Sequence, residues 1–243
     1  MSRMRADQLL VARGLAESRA KARAAIEAGG VTANGAPVRA AAQLLEENVD
    51  IVAAPAHPWA SRGGVKLAHG LEEFGVDASG RVCLDVGAST GGFTDVLLAR
   101  GAARVFAVDV GRGQLLARLR DDARVTVLEQ TDARKLDAEL IDEPPSLIVC
   151  DVSFIGAGKA LAAPLSLAAE QADLIVLIKP QFEAGPGKAN KAGILEEDVA
   201  RAAAAAALKD LDGKSGFRMA GICESPIRGR EGNLEILAHF RRT

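Results

Sequence analysis

From Arg62 onward, short apolar runs alternate with longer stretches of mixed polarity. The runs are "RVCLDVGA", "ARVFAVDV", "RVTVLEQ", "PSLIVCDVSF", "ADLIVLIKP" and "FRMAGICES". Strands separated by helical segments are the signature of a doubly wound α/β fold, a mostly parallel sheet with helices on both faces. The alanine run at Ala202–Ala207 is strong helix-forming sequence. The first fifty residues have a different pattern. "RADQLLVARGL" places Leu9, Leu10 and Val11 on a helical period that closes at Gly14, and "ESRAKARAAIEAGG" predicts a second helix with Ser18 as N-cap and Gly29 as stop. In "VTANGAPVRAA", Asn34-Gly35 between β-favouring runs predicts a primed-turn hairpin, and "ENVDIV" a last strand. Pro55 and Pro58 then break regular structure. The expected organisation is a small α+β domain at 1–54, a linker at 55–61 and an α/β domain at 62–243.

The turn after the first α/β strand, Gly87-Ala88-Ser89-Thr90-Gly91-Gly92, narrows the choice of ligand. Dinucleotide sites want G-x-G-x-x-G, whose second glycine lets the backbone touch a diphosphate. Ser89 occupies that position here, and Asp85 stands two residues ahead of Gly87, where a carboxylate repels phosphate but tolerates a cation. S-adenosylmethionine, with a sulfonium, an amino group and no phosphate, fits those features. Asp109 ends the next strand, where an acid accepts ribose hydroxyls, and Asp132 follows the third, where a carboxylate could receive an adenine amine. Each acid alone also reads as a helix cap or loop residue. Together with the missing glycine, the three strand-end carboxylates point to a Rossmann-like S-adenosylmethionine-dependent methyltransferase. The expected donor-binding residues are Asp85, Gly87, Ala88, Ser89, Gly91, Asp109 and Asp132.

The remaining strand ends carry the acceptor chemistry. Many amino-methyltransferases carry an Asn or Asp followed by two prolines and an aromatic that cup a base amine; after Asp151, Val152-Ser153-Phe154 does not make that cup, so methylation of a base nitrogen is disfavoured. Lys179 directly follows an apolar strand, an expensive place for an unpaired ammonium. Lys66 follows a double glycine, and Glu235 falls in the final strand region. A ribose 2'-hydroxyl is a poor nucleophile at neutral pH and needs a positioned base and charges that favour the alkoxide. A set of two lysines and two carboxylates suits that work: one ammonium beside a second has its pKa lowered and frees a lone pair, while the carboxylates hold the geometry. Any one of these residues alone reads equally well as part of a structural ion pair.

Composition excludes more than it adds. The 243 residues carry a formal net charge of -2, so any basic surface is local. Three cysteines without ligand spacing, and three scattered histidines, argue for reduced thiols and no metal. No leader pattern or apolar run of spanning length is present, which predicts a cytoplasmic protein without membrane contact. The basic excess lies at the N-terminus, where Arg3, Arg5, Arg13, Arg19, Lys21, Arg23 and Arg39 face only Asp7, Glu17 and Glu27. Arg19 and Arg23 stand four apart on one helical face. Arg5, Arg13, Arg19, Lys21 and Arg23 are the expected phosphate contacts, with shape and charge rather than stacking as the grip, since aromatics are nearly absent there. A solvated basic face is the commoner meaning of such a run.

The chain resembles the TlyA-type RNA 2'-O-ribose methyltransferases, relatives of the FtsJ-like heat-shock methyltransferases. "SRGGVKL", "LDVGASTGGFTDVLL", "VDVGRGQL", "CDVSFI", "LIKPQFE" and "SPIRGREGNLE" occur in the family's order. The resemblance implies a catalytic set at Lys66, Asp151, Lys179 and Glu235, with Lys179 as base, and S-adenosylmethionine near Asp85, Gly87, Gly91 and Asp109. It implies ribosomal RNA or ribosomal subunits as partner, typically a cytidine of the large subunit and in some members of the small one. The N-terminal unit resembles an RNA-binding module first seen in a small-subunit ribosomal protein. Two departures stand out. After "KPQFE" the family's glycine-rich, partly basic loop turns acidic at Glu196 and Glu197, and the short start and the end at "FRRT" resemble the shorter members, which implies a large-subunit target. The competing readings are a non-catalytic RNA-binding or assembly factor that keeps the fold, and a membrane-active cytolysin. The second is disfavoured by the absence of a span, a leader or a cationic amphipathic helix.

Overall fold

The structure is a computed structural model and describes residues 2–190, 192–229 and 231–243; Lys191 of the loop after "KPQFE" and Arg230 of "SPIRGREGNLE" lie outside the described residues. Two compact units are present, Met1–Pro58 and Trp59–Thr243, divided within the proline-broken stretch.

The first unit runs β1 (Arg3–Arg5), α1 (Ala6–Ala12), α2 (Arg19–Glu27), β2 (Val31–Ala33), β3 (Ala36–Pro37), β4 (Leu44–Glu46) and β5 (Ile51–Ala53). Ser18 caps α2, accepting from Lys21 N at 3.3 Å, and Gly29 follows at φ +75°. Asn34 and Gly35 sit at φ +48° and +75° and join β2 to β3, as a primed turn requires. The pattern missed β1 and β4, which pair antiparallel with Arg3 opposite Glu46. Leu9, Leu10, Ala22, Ile26, Val31 and Leu45 form the core of this unit.

The second unit starts with α3 (Arg62–Glu73), then β6 (Val82–Val86), α4 (Gly92–Ala99), β7 (Arg104–Val108), α5 (Ala117–Arg120), β8 (Val125–Leu128) and β9 (Leu147–Cys150). It continues through α6 (Ala157–Ala160), α7 (Ala162–Ser166), β10 (Ala172–Ile178), α8 (Pro180–Glu183), α9 (Glu197–Leu211), β11 (Arg218–Glu224) and β12 (Ile236–Arg242). The sheet order is β11-β12-β10-β9-β6-β7-β8. The β6–β10 ladders are parallel, and β12 inserts antiparallel between β10 and β11. The chain winds outward from β6 in one direction and resumes at β9 in the other, so the topological switch lies between β6 and β9, where such sheets open a ligand crevice. Two apolar layers cover the sheet, one built on Leu84, Phe106, Ile148 and Phe240, the other on Leu67, Val96, Leu147 and Leu237.

The acids after "KPQFE" belong to a helix. Glu196 is the N-cap residue of α9, and Glu197 and Asp198 form its first turn, where negative charge suits the helix dipole. Among the described residues no helix is long and apolar enough to cross a membrane.

Candidate active site

A cleft of about 830 Å³ opens at the switch point, lined by Gly87, Ser89, Asp109, Gln114, Asp132 and Asp151, and also by Phe154, Lys159 and Phe182. Gly87 is there for closeness: at φ +90°, a Cβ would stand 2.7 Å from the carbonyl oxygen of Asp151, so only glycine lets the β6 turn meet the β9 loop. Ser89 takes the left-handed conformation at φ +48°, the backbone that a glycine would otherwise supply, and its N–H donates to Asp109 Oδ2 at 2.8 Å. Asp109 Oδ1 accepts from Gly111 N at 2.7 Å. Its carboxylate thus fastens the glycine turn to the loop that follows β7.

Three of the expected donor residues stand elsewhere. Ala88 is 5% exposed and packs in the core layer of Leu67 and Val96 rather than lining the cleft. Gly91 is the left-handed N-cap of α4, and its missing side chain leaves room for Leu115 and Leu119. Asp85 is fully enclosed beneath the turn. Its Oδ2 accepts from Thr94 Oγ1 at 2.7 Å, while Oδ1 has no partner among the described residues. Burial pushes this carboxyl up to about 7, opposed by the Thr94 hydroxyl and reinforced by the negative charges of Asp151 and Asp109. Asp132 does line the cleft, but its carboxylate is engaged: it accepts from Arg134 N at 3.0 Å and pairs with the Arg134 guanidinium at 2.6 Å. The Arg134 hydrogen bonds hold it down at about 2.

The four expected catalytic residues form two ion pairs. Lys179 Nζ lies 2.6 Å from Asp151 Oδ1 and donates to Ser153 Oγ at 3.0 Å. Lys66 pairs with Glu235, both almost fully buried. The two pairs are neighbours through α3: a Cβ on Gly63 would lie 3.4 Å from Asp151 Oδ2, and Lys66 follows one turn later. Sequence reasoning set one ammonium beside another; in the structure each is matched to its own carboxylate, because an unpaired charge at such burial is prohibitively costly. Only Asp151 of the four lines the cleft itself.

Sequence reasoning missed the rim. Phe154 is 91% exposed at φ +66° and packs on Phe182 with ring centroids 5.1 Å apart. The ring buries little and adds nothing to the core, while its left-handed backbone is strained. The only signal was its place three residues after a strand-end acid.

In the first unit, most of the expected phosphate contacts are already committed. Arg5 and Arg19 bond the buried Asp7 at 2.9 and 2.8 Å, and Lys21 pairs with Glu17 at 2.6 Å. Arg13 donates to the carbonyl oxygens of Val49, at 2.6 Å, and Glu47. Arg23 is exposed and makes no hydrogen bond or ion pair with a described residue.

Comparison with known proteins bears on both units. The FtsJ-like methyltransferase family matches residues 59–242, and the S4 domain matches residues 4–51. The 16S/23S rRNA (cytidine-2'-O)-methyltransferase TlyA of Mycobacterium tuberculosis (strain ATCC 25618 / H37Rv) is 43% identical over 98% of this chain and 90% of its own length. Hemolysin A of Brachyspira hyodysenteriae is 41% identical over 98% of this chain and 99% of its own. A solved structure described as a hemolysin of Streptococcus thermophilus superposes with a TM-score of 0.73 at 35% identity, covering 100% of this chain and 90% of that one. With strand-end acids around a glycine turn, two lysine–carboxylate pairs beside it and an S4 domain ahead of it, the chain belongs to the FtsJ-like methyltransferases, in their TlyA-type branch.

Proposed function

We propose that this protein methylates the 2'-hydroxyl of a cytidine in ribosomal RNA, in the cytoplasm, with residues 1–54 supplying RNA affinity and residues 62–243 the chemistry. The observation that carries the reading is the Lys179–Asp151 pair at the adjoining ends of β9 and β10, beside the glycine turn and backed by Lys66–Glu235.

S-adenosylmethionine is the donor and supplies a methyl group activated on a sulfonium. The site suits that cation: Asp85 keeps an unpartnered oxygen under the turn, and Ser89 stands where a diphosphate would want glycine. Gly87, Ser89 and Asp109 would hold the donor, with Asp132 and Asp85 as further carboxylates around it. At the acceptor side, Lys179 Nζ takes the hydroxyl proton, and Asp151 holds the resulting ammonium in place. Ser153 fixes the direction of that amine, and Lys66, held by Glu235, favours negative charge on the oxygen. Phe154 offers an exposed ring to an unstacked base, which fits a nucleotide presented outside a helix.

The test is ribose-methylation mapping of ribosomal RNA incubated as naked RNA and as each subunit with purified protein and S-adenosylmethionine. Methyl groups on a cytidine 2'-oxygen are expected, and modification of a base nitrogen overturns the reading. Lys179→Ala is expected to lower turnover by about a thousandfold while calorimetry shows donor binding retained. Near-normal turnover in that variant removes Lys179 from the role of base.

A further inference from the structure

We propose that Glu129 is a positioning residue for donor binding: its carboxylate holds the loop from Gly111 to Leu115 shut against the glycine turn. The inference rests on the reading of the cleft as the donor site.

Glu129 directly follows β8 and does not line the cleft. Its Oε2 accepts from Gly113 N at 2.7 Å, and its Oε1 accepts from Gln114 N at 2.8 Å and Leu115 N at 3.1 Å. Arg120 closes the set at 2.9 Å. These backbone N–H bonds hold the Glu129 carboxyl down at about 2, so it is ionised throughout the working range. Three consecutive amides converging on one anion make a concavity of the kind that binds phosphate, and here the chain fills it with its own carboxylate. The loop needs such an anchor. It contains Gly111 and Gly113, the latter at φ +63°, and glycine-rich backbone loses much entropy on ordering.

The anchored loop reaches the donor side through two contacts. Ser89 Oγ donates to Gln114 Oε1 at 3.0 Å, and Leu116 N donates to Thr90 O at 3.4 Å. Leu115 also fills the space left by the missing side chain of Gly91. Gln114 and Ser89 both line the cleft, so freeing the loop loosens the wall against which the donor rests. An amide at position 129 cannot replace the carboxylate, because one end of it presents N–H to N–H.

The experiment measures S-adenosylmethionine affinity by calorimetry, and KM and kcat with ribosomal RNA, on the full chain carrying Glu129→Gln, Arg120→Ala or Asp109→Ala. Glu129→Gln is expected to raise the donor Kd and KM about tenfold, with kcat within about twofold and the KM for RNA unchanged. Arg120→Ala keeps the three amide bonds and is expected to bind donor within about twofold of the parent. Wild-type donor affinity in Glu129→Gln, or an equal loss in Arg120→Ala, overturns the inference. Unchanged affinity in Asp109→Ala instead overturns the donor site itself, which separates the two failures. Amide hydrogen exchange on the unsubstituted chain provides a readout that does not depend on any variant folding. The amides of residues 113–115 are expected to be protected without donor, and exchange at the rate of an open loop overturns the anchor.

Discussion

Asp7 in the first unit and Asp85 in the second are the same residue at the same exposure, 0%, yet their carboxyls move in opposite directions. Hydrogen bonds from the Arg5 guanidinium, joined by Arg19, overcome burial and hold Asp7 at about 2. Asp85 has a neutral hydroxyl for a partner and two carboxylates nearby, so burial carries it up to about 7. Asp85 also lies deeper than Asp7, so depth and the charge of the partner together decide the sign. Asp7 is a structural anchor whose arginines are tied up by it. Asp85 is enclosed beneath the glycine turn, with one carboxylate oxygen that has no partner among the described residues.

The sharpest way to break this contrast is pH. For Asp85 the folded value is raised above the unfolded value of 3.8. Its contribution is therefore most favourable below about pH 4 and is lost as pH rises towards 7, by up to about 4 kcal/mol over three units. Urea unfolding followed by the fluorescence of Trp59, the single tryptophan, reports on the second unit. Between pH 5 and 8 the parent should lose about 2 to 3 kcal/mol more than Asp85→Asn. Parallel losses would mean that Asp85 ionises normally in its enclosure. A bound sulfonium favours ionised Asp85, so donor binding near pH 6.5 should release a proton, detectable as calorimetric heats that vary with buffer ionisation enthalpy. Heats independent of buffer would detach Asp85 from the donor.

The first unit should respond to its arginines instead. Replacing Arg5 and Arg19 together by Ala leaves Asp7 buried and uncompensated, at a cost of about 3 kcal/mol, whereas Asp7→Asn releases two half-exposed arginines to water and costs less. Amide exchange in α1 measures both. The Asp7 contribution is present above the unfolded value near 4 and is lost as pH falls towards 2. If Asp7→Asn proves the more damaging change, the arginines stabilise the unit by packing rather than by charge.

The same contrast explains what the sequence could reveal. Apolar runs ending in aspartate located β6, β7 and β9, and Asn34-Gly35 located a turn, because those signals are local. The β1–β4 pairing was invisible, since "RMR" and "LLE" are three-residue strands specified by their neighbours. The reversed insertion of β12 has no local cause either. At the site, sequence reasoning singled out Lys66, Asp151, Lys179 and Glu235 as candidates, and the structure joins them as two ion pairs. Which ammonium meets which carboxylate is decided by α3 packing against β10 and β12, and no spacing encodes it. Counting charges could not tell that Arg19 is spent on Asp7 while Arg23 is not, nor that Glu129 faces a row of backbone amides.

The smallest expected effect separates those two arginines. They lie one helical turn apart on α2, but Arg19 bonds a buried carboxylate at 2.8 Å and Arg23 is exposed without an ion pair to any described residue. If the exposed guanidinium meets an RNA phosphate, Arg23→Ala should leave stability within about 0.5 kcal/mol and lower the slope of log affinity against log salt by about 1. Arg19→Ala should instead lower the stability of the first unit, with an RNA effect that follows the fraction folded. The measurements are filter binding to ribosomal RNA over a salt series and thermal melting of the same samples. An Arg23→Ala variant with unchanged affinity at low salt would leave that face merely solvated, and the RNA grip of the unit would then have to come from groups other than its one uncommitted helical arginine.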